Sequence, residues 1–245
     1  MNQFHDTPSQ LYLFELSTTS VPIGNDRLFE MVLPCYIIKA TAGRHILIDT
    51  GIAPEARSAN GPQPRNETNV LQHLAALHLQ PSQIDTVICT HFDVDHAGYH
   101  DAFPGAEFIV QRTHYDLARS GHPRLAPARP HWDHPSLHYR LVEGDTELLP
   151  GLRLIETSGH ITGHQSVLVR LPKSGPILLA IDAVAIQRLF TADRNSSPID
   201  ENENQLRFST RKLLDIVERE NISLVVFGHD GLQWQSLKKS PDFHD

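Results

Sequence analysis

Positive charge is in short supply in this chain. Its 21 Lys and Arg stand against 29 Asp and Glu, a formal balance of −8. That sign argues against a nucleic-acid partner, because phosphate binding needs a basic surface. Cysteine is scarcer. Cys35 and Cys89 lie far apart, belong to no CxxC pair, and each follows or ends an apolar run, so they read as small buried hydrophobes of a reducing compartment. Long apolar runs are missing too. No stretch approaches the roughly 18 residues a membrane span requires, and the opening Met-Asn-Gln-Phe-His-Asp has no basic region leading into an apolar one. Neither a membrane nor a signal peptide is expected, and the expected location is cytoplasmic. Histidine, by contrast, is plentiful at 16 residues, and its spacing must separate functional groups from ordinary ones.

The chain is long enough to bury a substantial core, and no composition break marks a linker, so residues 1–245 read as a single domain. Short β-rich runs open it: Leu11 to Leu16, Met31 to Ala40 and His45 to Asp49, with Gly43 at a hairpin turn between the last two. Residues 52 to 69 read as a long loop. Asn69 then caps a helix in which Val70, Leu71, Leu74 and Leu77 repeat at helical spacing. The buried strand IDTVICT delivers the chain into His91, and a helix is expected soon after. A strand at Glu107 to Gln111 and a helix near Thr113 to Arg119 follow. Residues 121 to 138, with four prolines and His122, His131, His134 and His138, read as an irregular excursion that could cover a site. Further strands fall at 139–142, Leu152 to Glu156, Ser166 to Leu171, Pro176 to Ile181 and Ser223 to Phe227, with a helix at Thr210 to Arg219 before the last. Helices outside two central sheets accommodate that order, an α/β fold.

Chemistry concentrates in THFDVDHAGYH, residues 90–100. Four residues able to bind metal, His91, Asp93, Asp95 and His96, fall within six positions. Alternate residues of an extended segment point the same way, so His91 and Asp93 suit one ion, while Asp95 and His96 diverge toward a second. A two-metal hydrolase needs further ligands and open positions for water and substrate. His164, Asp182 and His229 each sit beside an apolar strand, and glycines beside His160, His164 and His229 allow close backbone approach. Strand ends converging on one rim would assemble such a site on a rigid scaffold.

This ordered set resembles the metallo-β-lactamase fold superfamily and within it the N-acyl-homoserine lactonases. LIDTG, HAG, VQRTHY, VEGD, PG, SGHITGHQSVLV, SGPILLAIDA and FGHD occur in matching order over roughly residues 30 to 235. The resemblance implies an αββα sandwich with a dinuclear centre at one edge. His91, Asp93 and His164 would hold one metal, Asp95, His96 and His229 the other, and Asp182 would bridge them. Asp49 would support the site, and His160 would stand behind the ligands.

Two positions depart from the family pattern. Asp93 occupies a slot that is normally histidine, and Ala185 stands where lactonases of this kind have a tyrosine that assists the substrate carbonyl. Tyr99, Tyr115 and His131 are candidate replacements. With Asp93, Asp95 and Asp182 all carboxylates, the centre loses positive charge, and harder ions gain on zinc. The cofactor expectation is therefore two divalent ions, zinc first, with manganese or iron admitted by Asp93. The functional expectation is a metal-dependent hydrolase that opens a lactone or similar small ester through a metal-bound hydroxide, with Asp95 as proton shuttle. Two alternatives stay open: an iron-loaded redox enzyme on the same scaffold, and a non-catalytic ligand-binding relative.

Overall fold

Apolar residues alternate along most strands, and each strand therefore has a face for two different layers. The computed structural model describes residues 6–22, 28–56 and 63–245. The first sheet holds β1 (Pro8–Pro22), β2 (Leu28–Ala40), β3 (His45–Ile48), β4 (Thr86–Ile88), β5 (Glu107–Gln111) and β6 (His138–Val142), in that spatial order. It is antiparallel from β1 to β3 and parallel from β3 to β6. The second sheet runs β11 (Leu224–Phe227), β10 (Gly175–Ile181), β9 (Gln165–Leu171), β8 (Leu152–Glu156), β7 (Thr146–Leu149). Only its β10–β11 pair is parallel.

Three apolar layers follow from the alternation. Tyr36, Ile48, Ile88, Val167, Leu179 and Val226 fill the space between the sheets. On the outer face of the first sheet, Phe14, Leu47, Val87 and Phe108 pack under α1 (Val70–Ala76), α2 (Arg112–Arg119) and α3 (Arg129–Trp132). On the outer face of the second, Leu168, Leu178 and Ala180 meet Leu213 and Ile216 of α4 (Glu203–Arg219). The expected αββα sandwich is the architecture observed. Cys35 and Cys89 are free and buried in the first outer layer.

Local signals explain several boundaries. Asn69 caps α1 by accepting from the Gln72 amide at 3.0 Å, and Gln72 returns a bond to the Asn69 amide at 2.9 Å. Gly43 adopts φ 87° in the β2–β3 hairpin, a value that favours glycine. Other expectations need correction. The helix expected directly after the His/Asp cluster is only a 3-10 turn at His100–Ala102. α4 starts seven residues before Thr210, because Asn202 caps it and Leu206 gives the first turn a buried anchor. β1 continues to Pro22 through Thr18, Thr19 and Ser20, and β7 was not foreseen. The loop expected over residues 52–69 is described only at its ends, since residues 57–62 lie outside the described set. Among the described residues no helix is long and apolar enough to cross a membrane.

One edge of the sandwich collects the strand ends that matter. β3 ends before Asp49, β4 before Cys89 and the 90–96 segment, β10 before Asp182, and β11 before Gly228-His229; the β8–β9 connection carries residues 157–164.

Candidate metal centre

Four histidines point one ring nitrogen outward to a fixed acceptor and the other into a shared space. His96 Nδ1 bonds Asp49 Oδ2 at 2.8 Å, and His229 Nδ1 donates to the Val32 carbonyl at 2.8 Å. His160 Nδ1 meets Asp200 Oδ1 at 2.9 Å, and His91 Nδ1 lies 3.0 Å from the Thr90 hydroxyl. Thr90 in turn donates its amide and hydroxyl to Asp49 at 2.8 and 2.6 Å. Anchoring Nδ1 fixes the tautomer and leaves Nε2 as the inward atom.

Those Nε2 atoms surround Asp182. His229 Nε2 lies 3.0 Å from Asp182 Oδ1 and 3.1 Å from Oδ2, His96 Nε2 is 3.6 Å from Oδ1, and His160 Nε2 is 3.3 Å from Oδ2. Asp95 Oδ2 completes one side, 3.7 Å from His96 Nε2 and 3.8 Å from His229 Nε2. On the other side, Asp93 Oδ2 is 3.3 Å from Nε2 of both His91 and His160. Three groups of possible ligand atoms result: Asp95, His96 and His229; His91, His96 and Asp182; and His91, Asp93 and His160.

The geometry corrects the expectation for the two Gly-His histidines. His164 is turned away from the ligand space: its Nε2 accepts from the Asp182 amide at 3.3 Å, and its Nδ1 lies 2.9 Å from the Thr157 hydroxyl. Burial, with His91 and His160 nearby, holds its pKa well below the ordinary value and keeps it neutral. His164 therefore positions the backbone of Asp182, and His160 takes the inward place. His91, Asp93, Asp95, His96, Asp182 and His229 are brought together at the edge where the sequence reading put them. The candidate replacements for the missing tyrosine are elsewhere. Tyr115 packs its ring 5.0 Å from Tyr139, His131 is bound to Asp101 at 2.7 Å and Glu55 at 3.1 Å, and Tyr99 packs against the outer apolar layer. His122 lies near Glu201, and His134 bonds Ser136.

Sequence reasoning missed four contributors. Arg124 forks Asp93, with Nε 2.7 Å from Oδ1 and 3.0 Å from Oδ2 and Nη2 bonded to Oδ2 as well. Asp200 orients His160 and is itself held by the Ser197 amide and hydroxyl at 2.6 and 2.8 Å. His114 accepts from the Phe92 amide at 2.8 Å and meets the Thr162 carbonyl at 2.8 Å, tying the ligand segment to the β8–β9 loop. Thr90 joins Asp49 to His91. The excess negative charge gathered at Asp93 was the available signal that a cation had to come from elsewhere.

Two strained residues stand at this edge. Ile181, just before Asp182, has φ 51°, and Asp49 has φ 56°; a positive φ in a β-branched residue is costly and persists only when its surroundings impose it. Gly228 permits the close approach of β11: a Cβ there would lie 2.7 Å from the Ile181 carbonyl oxygen and 2.9 Å from Asp182 Oδ1.

The electrostatics call for a cation. Burial alone would keep His96 neutral, yet Asp95, Asp182 and Asp49 push its pKa up to about 10. Burial likewise opposes charge on His229, and Asp182 and Asp95 raise it. Asp182 is driven well below the carboxylate range despite burial, by His229 and His96. Meanwhile Nε2 of His91 and of His96 are buried without hydrogen-bond partners, and such orphans are costly in a folded protein. Imidazole nitrogens and carboxylate oxygens converging on one space are the donor set of zinc, manganese and iron centres. The residues fit a divalent metal.

A cavity of about 470 Å³ opens beside the centre, lined by Asp93, Asp95, His122, Arg124, Ile199 and Glu201 among others. A groove of about 580 Å³ lies beyond His229, where Asp230 shares a wall with Leu28, Phe29, Ile186 and Leu232.

The sandwich with this ligand edge defines a class. Residues 32–229 match the family model of the metallo-beta-lactamase superfamily, and the chain belongs to that superfamily. Its relatives there include N-acyl homoserine lactonases. It is 31% identical over 241 residues to the N-acyl homoserine lactonase AttM of Azorhizobium caulinodans, covering 91% of this chain and 90% of that one. An N-acyl homoserine lactonase of Bacillus sp. is 29% identical over 255 residues, covering 99% of each. Among solved structures, an N-acyl homoserine lactone hydrolase with the product N-hexanoyl-L-homoserine bound at its catalytic metal centre superposes with a TM-score of 0.85 at 27% identity, covering 97% of this chain and all of that one.

Proposed function

We propose that this chain is a metal-dependent hydrolase that opens the ring of an N-acyl homoserine lactone or a closely similar small lactone. The observation that carries the reading is the set of four histidines whose Nδ1 atoms are anchored outward so that their Nε2 atoms converge on Asp182. The relatives support the substrate class, since they are named for that lactone.

Two metal positions suit the residues. Asp95, His96 and His229 would hold one ion, His91, His160 and Asp93 the other, with Asp182 between them. Zinc is the expected metal, with manganese or iron tolerated on the Asp93 side. When bound, such ions supply Lewis acidity toward a carbonyl oxygen and make water an adequate nucleophile near neutral pH.

The protein's own groups do the rest. Ring opening adds water to the lactone carbonyl carbon and breaks the bond to the ring oxygen, which leaves as an alkoxide and must take up a proton. Asp95, about a quarter exposed and lining the cavity, is placed to carry that proton. Asp49, Asp200, Thr90 and the Val32 carbonyl keep the histidines from reorienting during turnover. The Ala185 side chain offers no hydrogen-bond donor in place of the tyrosine. The apolar wall of the groove beyond His229 suits an acyl chain. The iron-redox alternative rested on a carboxylate-rich centre; the Arg124 fork offsets the charge of one of its three carboxylates, which favours the hydrolase reading. Residues 1–245 are read as one domain acting in the cytoplasm on a small molecule, and no nucleic-acid or membrane partner is expected.

The test is proton release from a series of N-acyl homoserine lactones by metal-replete protein. Turnover that is abolished by chelation and restored by metal is the expected result. Folded, metal-replete protein that opens no lactone and cleaves no ester or phosphodiester would contradict the reading.

A further inference from the structure

Asp93 and His160 are two of the three groups on one side of the centre, and Arg124 holds both. Its Nε and Nη2 fork the Asp93 carboxylate, Nη1 donates to the carbonyls of His160 (3.1 Å) and Ile199, and Nη2 lies 2.6 Å from His160 Nε2. All three guanidinium nitrogens are thus committed to the protein. With Nδ1 directed at Asp200, Nε2 is the one ring atom His160 can offer a metal ion, and as a ligand it is a neutral imidazole with a single lone pair there. That lone pair can receive the Arg124 N–H or a metal ion, but not both.

The opposite side has no such occupant. Asp95, His96 and His229 have no Lys or Arg partner among the described residues, and His96 Nε2 is buried without a hydrogen bond.

Arg124 is also firmly placed. It sits in the turn Pro123–Leu125, with Leu125 fully buried. Trp132 of the same segment bonds the Leu125 carbonyl at 3.1 Å and stacks on Phe92, ring centroids 5.0 Å apart and 2° from parallel. Phe92 is the residue between His91 and Asp93, so the segment that carries Arg124 is clamped to the ligand segment it caps.

We propose that Arg124 is a built-in competitor for the metal position formed by His91, Asp93, His160 and Asp182, so that the chain binds one ion tightly at Asp95, His96, His229 and Asp182 and a second only when Arg124 withdraws from His160. The proposal rests on the reading of this edge as a metal centre. It also gives Asp93 a reason. A carboxylate in that slot recruits the guanidinium, and the pair together brings no net charge, as a neutral histidine would.

Zinc binding tests it without reference to turnover. Metal-free wild-type protein and Arg124→Met are titrated with zinc against a competing chelator, and bound zinc per chain is measured by elemental analysis. Wild type is expected to keep one tight ion, and Arg124→Met to keep two, its second ion bound at least about ten-fold more tightly than in wild type, the scale of effect for groups that contact metal ligands. Two equally tight ions in wild type, or one in both proteins, would overturn the proposal. Should Arg124→Met fail to fold, imidazole ¹⁵N spectra of wild type decide. The first equivalent of zinc should move Nε2 of His96 and His229 and leave His160 in place; movement of His160 at the first equivalent overturns the proposal. Wild type that binds no zinc, with no imidazole response, removes the metal-centre reading itself and this inference with it.

Discussion

Asp49 orients two of the four inward histidines at once. One carboxylate accepts from the Thr90 amide, the Thr90 hydroxyl and His96 Nδ1, so it sets the ring of His96 and, through Thr90, that of His91. Asp49→Asn keeps the size but loses the charge. It is expected to weaken zinc binding by roughly 10–100-fold while the fold survives, measurable by chelator competition beside a thermal melt. His100 makes a different prediction. It is buried with no partner on either ring nitrogen, and burial, with His131 and His96 adding to it, pushes its pKa down to about 3. The unfolded chain takes up that proton near 6.5. The contribution of neutral His100 is therefore complete above that pH and is lost at about 1.4 kcal/mol per pH unit as pH falls toward 3. His100→Leu should flatten this acid limb in denaturant titrations and add on the order of 1 kcal/mol at neutral pH, since it replaces an unpaired polar ring. A variant with the acid limb of wild type would contradict the assignment. At this scale the sequence was legible wherever a residue type had one place to go, as with His96 and His229. It was ambiguous at SGHITGHQ, where two histidines each follow a glycine. Gly159 (φ 136°) and Gly163 (φ 72°) turn the chain between them, and the turn, rather than the motif, decides that His160 faces inward and His164 supports Asp182.

Among the elements, the β10 and β11 ends are the most tightly constrained. Gly228 lets β11 pass against Ile181 and Asp182, and Ile181 already holds a left-handed backbone. Gly228→Ala is expected to displace Asp182, lowering zinc affinity and costing about 1–3 kcal/mol of stability, the usual range for overpacking. Unchanged affinity together with an unchanged melt would show that the edge has more room than these distances allow. The strands that lead into the candidate ligands are readable because buried apolar runs end abruptly in His or Asp. The apolar pattern understates α4 because Glu203 to Phe208 contributes only Leu206 to the core and leaves Phe208 exposed. The 121–138 excursion looked like a cover. It packs through Leu125, Ala128 and Trp132 and brings His122 and Arg124 to the wall of the cavity beside the centre, although no local pattern distinguishes that arginine.

At the scale of the whole molecule, two sheets face each other across one apolar layer and bring the strand ends that carry the His/Asp cluster to one edge. That arrangement explains why the fold was readable from order alone. Apolar strands in sequence specify the layers, and the layers bring residues 49, 91, 182 and 229 together without any of them being near in the chain. What order cannot specify is charge balance within the site, which depends on a side chain arriving from the outer face of the first sheet. The most direct measurement is anomalous diffraction at the zinc edge from a zinc-loaded crystal. A strong peak is expected among Asp95, His96, His229 and Asp182, within bonding distance of His96 Nε2 and His229 Nε2. Zinc found only on the surface, with those nitrogens uncoordinated, would contradict it.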